Sequence, residues 1–145
     1  GWLILVGFLT LVLPLRLALR ILEFPHVWSL SDWVARTTPG RDEYHPLWTP
    51  YLLAGVLGNT ALLCAAITLV FLFVTRRAAF PAAVAAFLGM HALVLLATSS
   101  LGPSLPGADI GVVDAVAAAA GELLPLTALV PYLFNSDRAR STFVR

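Results

Sequence analysis

Residues 50–74 read PYLLAGVLGNTALLCAAITLVFLFV, an apolar run without a charged side chain. A helix rises about 1.5 Å per residue, so a run of this length spans the roughly 30 Å hydrocarbon core of a bilayer. Three further runs that are predominantly apolar occupy residues 2–22, 80–101 and 112–134. Because lipid offers the backbone no hydrogen-bond partners, such runs form helices. The pattern predicts an all-α fold, a single domain over residues 1–145 with four transmembrane helices in a bundle.

The composition agrees with an integral membrane protein. Of the 145 residues, 59% are hydrophobic and 12% charged, whereas soluble domains are about 25% charged. The net charge of +1 gives no argument for nucleic acid as a partner, and the bilayer is the expected one. Residues 2–22 are too long for a signal peptide, and no small-residue cleavage site follows them. Since the chain starts at Gly1, we expect a short piece to precede it.

Arginines near the ends of the spans predict the orientation, because cytoplasmic loops are enriched in basic residues. Arg76 and Arg77 occupy the tight turn between the second and third spans, and three more arginines (Arg138, Arg140 and Arg145) follow the fourth span. The loop over residues 23–49 has two arginines, diluted by four acidic residues. We therefore expect both termini in the cytoplasm and the loop over residues 23–49 outside.

Four pieces of the sequence resemble a known family. They are GWLI at residues 1–4, YHPLW at 44–48 with Gly58-Asn59, FLFVTRRAAFP at 71–81, and Pro131-Tyr132 with SDRARSTF at 136–143. In these pieces the chain is similar to the bacterial domain-of-unknown-function family 2569. The resemblance implies a small, multi-pass protein of the bacterial inner (plasma) membrane with four spans. The chain departs from the family's pattern at two places. Members of the family tend to have Trp before the Pro-Tyr pair, where this chain has Leu129-Val130. They often have an acidic residue at the position where this chain has Gly55. The family has no established activity, so no functional residue or cofactor is implied.

Polar residues inside the spans are candidates for function, because burying an ionisable group in lipid costs several kcal/mol. By helical rise, His91 lies about 16 Å into the third span, Glu122 about 15 Å into the fourth and Asn59 about 13 Å into the second. All three are near the midplane of a core about 30 Å thick. They form a predicted midplane polar cluster, either a proton-relay or ligand site or a structural clamp.

Two further patterns bear on helix packing. Arg16 and Asp114 have matching depth and opposite charge, so we expect Arg16 to pair with Asp114, or with Asp109, and to set the register of the helices; substrate binding is the alternative. Small residues recur four apart at Ala54/Gly58, Ala82/Ala86, Ala85/Gly89 and Ala117/Gly121. These spacings allow close helix contact in lipid, within the bundle or with a partner.

The outer loop is the largest polar segment. SLSDWV at residues 29–34 predicts a short surface helix with Ser29 or Ser31 as its N-cap. The aromatic residues of the loop are predicted to face a partner; they are Trp28, Trp33, Tyr44 and Trp48. The histidines and acidic residues of the loop match no recognised metal spacing, so no metal is expected.

The sequence contains no nucleophile–base arrangement, nucleotide-binding loop or zinc motif, and we expect no catalysis. The expected function is an accessory or interaction subunit of a larger membrane complex, bound to other membrane subunits or to a second copy. One alternative is a small ion-coupled transporter or channel component that uses Glu122 and His91. A second is a pigment- or quinone-associated subunit with His91 as the single ligand.

Overall fold

The computed structural model describes residues 2–23, 29–106 and 111–144, apart from the side chains of Glu23, Glu122, Pro125 and Leu126. The helices are α1 (Trp2–Glu23), α2 (Leu30–Thr37), α3 (Trp48–Val74), α4 (Phe80–Leu101), α5 (Val112–Thr127), α6 (Leu129–Asn135) and α7 (Asp137–Thr142), with a 3₁₀ turn at Gly102–Ser104 after α4. These ranges contain no strand, which confirms the all-α prediction for this part of the chain.

Three helices of the described chain are long and apolar enough to cross a membrane, judged by length and composition. They are Trp2–Leu22, Trp48–Val74 and Phe80–Ser104. Val112–Gly121 is a shorter apolar helix. The first three predicted spans agree with the structure within two or three residues at each end.

The fourth predicted span contains two helical segments, α5 and α6, and Ala128 between them keeps helical dihedrals (φ −62°, ψ −21°). Pro131 has no N–H to donate to the carbonyl of Thr127, and its ring crowds that carbonyl, which weakens a helix at this point. The Thr127 hydroxyl also donates to the Leu124 carbonyl at 2.9 Å. The backbone N–H of Ala128 donates to the same carbonyl at 3.3 Å, so this carbonyl accepts two hydrogen bonds at the break.

The bundle is organised around α3 and α4. α3 packs between α1 and α4, and α5 packs on α4. The main core contains Val6 and Leu17 of α1, Leu62 of α3, Phe87 of α4 and Leu133 of α6, all 3% exposed or less. Where α3 crosses α4, a Cβ atom added at Gly58 would lie 2.8 Å from a methyl group of Val94. The predicted small pair Ala54/Gly58 therefore includes a glycine that packs inside the bundle.

The C-terminal segment folds back onto one end of the bundle. Ala139 in α7 is completely buried and Phe143 is 6% exposed. The Phe143 ring stacks on Phe80 at the start of α4, with 4.7 Å between centroids, and lies 5.9 Å from the ring of Phe73 near the end of α3. The tail thus lies at the same end as the Arg76-Arg77 turn.

At the opposite end, α2 begins at the predicted cap. The Asp32 backbone N–H donates to the Ser29 hydroxyl at 3.3 Å, so Ser29 is the N-cap and satisfies one of the unpaired donors of the first turn. α2 packs against α3. The described part of the outer loop is therefore held to the bundle.

Candidate functional site

The members of the predicted midplane cluster occupy different surroundings. His91 is 2% exposed, and its ring contacts Phe87 edge-on at 5.6 Å. Asn59 is 4% exposed and lines a cavity with Leu95 and Thr98, one and two turns further along α4 than His91. The side chain of Glu122 lies outside the described residues. Its contact with His91 stays a prediction.

A cavity with polar and apolar lining lies beside Asn59 within the described spans. It has a volume of about 350 Å³ and lies between α1, α3, α4 and α5. Its polar lining consists of Arg20, Tyr51, Asn59, Thr98 and Ser99, and its apolar lining of Val94, Leu95, Ala115, Ala118 and Ala119. The α5 wall is made only of alanines, whose small side chains leave the space open. The volume falls within the range of ligand pockets, about 300–1,000 Å³.

Hydrogen bonds to the helix backbone determine what this cavity offers. The Asn59 amide nitrogen donates to the Gly55 carbonyl at 2.6 Å, which orients the amide and leaves Oδ1 facing away from that bond. Oδ1 is buried and has no hydrogen-bond partner among the described residues. A buried acceptor without a partner costs about 1–3 kcal/mol. Asn59 lines the cavity with other atoms of its side chain, whereas Oδ1 itself is closed off from a water-sized probe.

The hydroxyls of the α4 wall are acceptors as well. Thr98 donates its hydroxyl hydrogen to the Val94 carbonyl at 2.9 Å, and Ser99 donates to the Leu95 carbonyl. Their lone pairs remain for a ligand, because the single O–H of each hydroxyl is already used. Arg20 adds positive charge to the lining. The arrangement suits a small polar molecule that donates hydrogen bonds to the Thr98 and Ser99 hydroxyls.

The predicted ion pair between Arg16 and Asp114 stays a prediction. Arg16 is exposed on α1, and Asp114 is exposed in the first turn of α5. The alternative partner Asp109 lies outside the described residues.

The aromatic residues of the outer loop contact their own chain. Trp48 is 7% exposed and forms a second core with Leu52 and Leu105, against which Trp33 packs. The Arg36 guanidinium lies 4.5 Å above the Trp48 ring, a cation–π contact. Burial of Trp48 corrects its prediction as a partner-facing residue, because its ring is used inside the fold. Trp33 and Tyr44 are half-buried, and Trp28 lies outside the described residues.

One face of α4 is exposed and flat. Ala82, Ala86 and Gly89 are exposed along it, and a Cβ atom added at Gly89 would meet nothing within 4 Å. Leu93 continues this face and is 69% exposed. The predicted small-residue spacing at this place therefore faces away from the bundle, unlike that at Gly58.

The described structure is that of an all-α membrane protein with three long apolar helices, a shorter apolar one and a polar cavity between them. A family model described as "Protein of unknown function (DUF2569)" matches residues 1–144. The chain belongs to this family, which confirms the resemblance seen in its motifs. No curated protein and no solved structure matches the chain. The family assigns no activity, so a proposal of function rests on the structure.

Sequence reasoning identified Asn59 but not the other polar residues of the cavity. Tyr51, Gly55 and Asn59 are spaced four apart, which places them on one face of α3, and this was the available signal. Thr98 and Ser99 are near the end of α4, where hydroxyls also occur for capping. Whether Thr98 and Ser99 line the same cavity as Asn59 depends on how α4 is rotated against α3.

Proposed function

We propose that this protein is a non-catalytic interaction subunit of a larger assembly in a bacterial inner membrane. The observation that carries the proposal is the exposed face of α4 with Ala82, Ala86 and Gly89. Lipid tails are as apolar as leucine, so helices associate in membranes by close packing, and small residues permit it. A helix of another membrane subunit, or of a second copy, can approach this face closely.

A four-pass topology with both termini in the cytoplasm is part of the proposal. Together α5 and α6 cover residues 112–135, a length of about 36 Å at helical rise, enough for a core of about 30 Å. Stacking of Phe143 on Phe80 brings Arg138 and Arg140 to the end that carries Arg76 and Arg77. Clustering of arginines at one end supports that end as the cytoplasmic one.

Gly89→Leu should weaken the association and leave the chain folded. The leucine would project from the α4 face into the space of a partner helix, and it would meet no atom of its own chain near the Cβ position. We expect at least about a tenfold weakening, or 1.4 kcal/mol. The mass of particles extracted gently from native membranes measures it.

Cys64→Leu is the matched control, since Cys64 is exposed on α3 and the change adds a similar side chain to a different face. It should leave the mass unchanged. A wild-type particle that is strictly monomeric, or a Gly89→Leu particle of unchanged mass, would contradict the proposal.

Binding of a small polar solute is the second candidate function. The observation that favours it is a cavity of about 350 Å³ that is lined by Asn59, Thr98 and Ser99. The solute site would belong to a small ion-coupled transporter or channel component, with His91 and Glu122 deeper in the bundle as the proton-carrying groups. A pigment at His91 is less compatible with the geometry, because the enclosed ring already packs on Phe87.

Asn59→Leu should abolish solute or proton flux and leave the protein as stable as before, or more stable by about 1–3 kcal/mol, because it removes a buried acceptor that lacks a partner. Flux into proteoliposomes and thermal unfolding measure the two effects. Thr68→Val is the control. Thr68 is exposed on the same helix, and in the described chain its hydroxyl bonds only to the backbone carbonyl of Cys64, one turn earlier in α3. Unchanged flux in both Asn59→Leu and Glu122→Gln would exclude this function.

A further inference from the structure

A basic groove lies at the end of the bundle opposite the outer loop. It has a volume of about 550 Å³ and is formed by the α3–α4 turn and the tail. The lining residues are Val74, Thr75, Arg76, Arg77, Ser141, Thr142 and Val144. Burial of Phe143 and Ala139 holds the tail in place, so Ser141 and Thr142 line the same groove as the two arginines.

Arg76 occupies a position where glycine is usual. Its φ is 53°, and it is the only non-glycine residue with positive φ in the described part of the chain. Its N–H donates to the Phe73 carbonyl at 3.1 Å, and the N–H of Arg77 donates to the Leu72 carbonyl at 3.0 Å. This is the Schellman ending of a helix, in which glycine most often takes the left-handed position. A side chain in this position costs roughly 1–2 kcal/mol. Strained backbone positions cluster at functional sites, so the Arg76 guanidinium is a candidate for a binding role.

Positive charge in the groove is not neutralised within the described chain. Neither Arg76 nor Arg77 makes a salt bridge to an acidic residue in the described part of the chain, whereas Arg36 pairs with Glu43 in the outer loop. Both arginines are exposed. The tail adds Arg138 and Arg140 against the single acidic residue Asp137. The groove therefore offers two forked guanidinium groups, the geometry that binds phosphate oxygens in pairs.

We propose that this groove binds the phosphodiester headgroup of an anionic membrane lipid. The α3 span ends at Val74 and the α4 span begins at Phe80, so the turn between them lies at the level of lipid headgroups. Val74 and Val144 are each 67% exposed and give the groove an apolar rim on which acyl chains can lie. A free phosphate shares the charge chemistry but makes no use of that rim.

The test uses the full chain in a nonionic detergent and native mass spectrometry with phosphatidylglycerol and phosphatidylcholine of identical acyl chains. We expect one phosphatidylglycerol to be retained preferentially. In Arg76→Gly/Arg77→Gln the preference should fall about 25-fold, at roughly fivefold per arginine. Arg76→Gly relieves the left-handed strain, so thermal stability without lipid should be unchanged or higher. Arg41→Gln, an exposed arginine of the outer loop, should keep the preference.

Inorganic phosphate added without lipid separates the two sources of phosphate. Phosphate binding that depends on Arg76 and Arg77, without a preference between the two lipids, would overturn the lipid assignment in favour of a soluble phosphate. Equal retention of both lipids without phosphate binding, or a preference that persists in the double variant, would overturn the site itself.

Discussion

Gly58→Leu is expected to separate α3 from α4 and to lower the free energy of unfolding by about 3 kcal/mol or more, at the upper end of the range for overpacked sites. Even a Cβ atom at this position would lie 2.8 Å and 2.9 Å from the two methyl groups of Val94. Valine is stiff about its first side-chain torsion in a helix, so the contact cannot be relieved by a small rotation. Thermal unfolding in detergent, followed by tryptophan fluorescence, measures the loss.

Gly89→Leu is the matched comparison for this prediction, because it makes the same change in a helix where nothing lies within 4 Å of the added Cβ. It should unfold at the wild-type temperature or above, since glycine is about 1 kcal/mol worse than a good helix former. Gly58→Ala, a milder change, should be rescued by Val94→Ala, which removes the opposing methyl groups. Equal stability of Gly58→Leu and Gly89→Leu would show that the α3–α4 contact is not close.

Phe143→Ala should release the C-terminal tail. The ring is 6% exposed and contacts both Phe80 and Phe73, and truncating a core phenylalanine costs about 3–5 kcal/mol. α7 has only six residues, and a helix this short does not persist without tertiary contacts. We therefore expect trypsin to cut at Arg138 and Arg140 much faster in the variant than in the wild type.

Two controls accompany the tail prediction. Phe143→Leu keeps most of the apolar volume and should leave the tail largely protected. Val144→Ala changes a neighbour that is 67% exposed and should alter stability by no more than about 0.5 kcal/mol. Wild-type protection of the tail in Phe143→Ala would show that ring stacking does not hold it.

The first three spans could be predicted closely because their ends coincide with changes in hydropathy. α4 begins and ends at the predicted residues, Phe80 and Leu101. The fourth span was harder, since Pro125 and Pro131 lie within an apolar run. A hydropathy profile is the same for a proline inside a continuous helix, such as Pro14 in α1, and for a proline beside a helix break.

The candidate site could be predicted only in part. Asn59 was identified because an amide inside an apolar run is unusual. Apart from Tyr51 on the same helix, the other lining residues come from three other helices, and α5 contributes only alanines, which carry no polar signal. Trp48 gave a misleading signal, because it combines an aromatic ring at a span end with burial beneath Arg36.

The sequence by itself determined the helical class, the three long apolar helices, a serine cap at Ser29 or Ser31 and the family. These depend on the composition of single segments and on local hydrogen bonds, which neighbouring residues decide. Tertiary structure alone decided that Gly58 faces Val94 while Gly89 faces outward, that the tail covers the Arg76-Arg77 turn, and that Asn59 borders a cavity. Each of these depends on the rotation and depth of one helix against another, which short-range patterns do not encode because a helix in lipid has apolar residues on both its inward and its outward face.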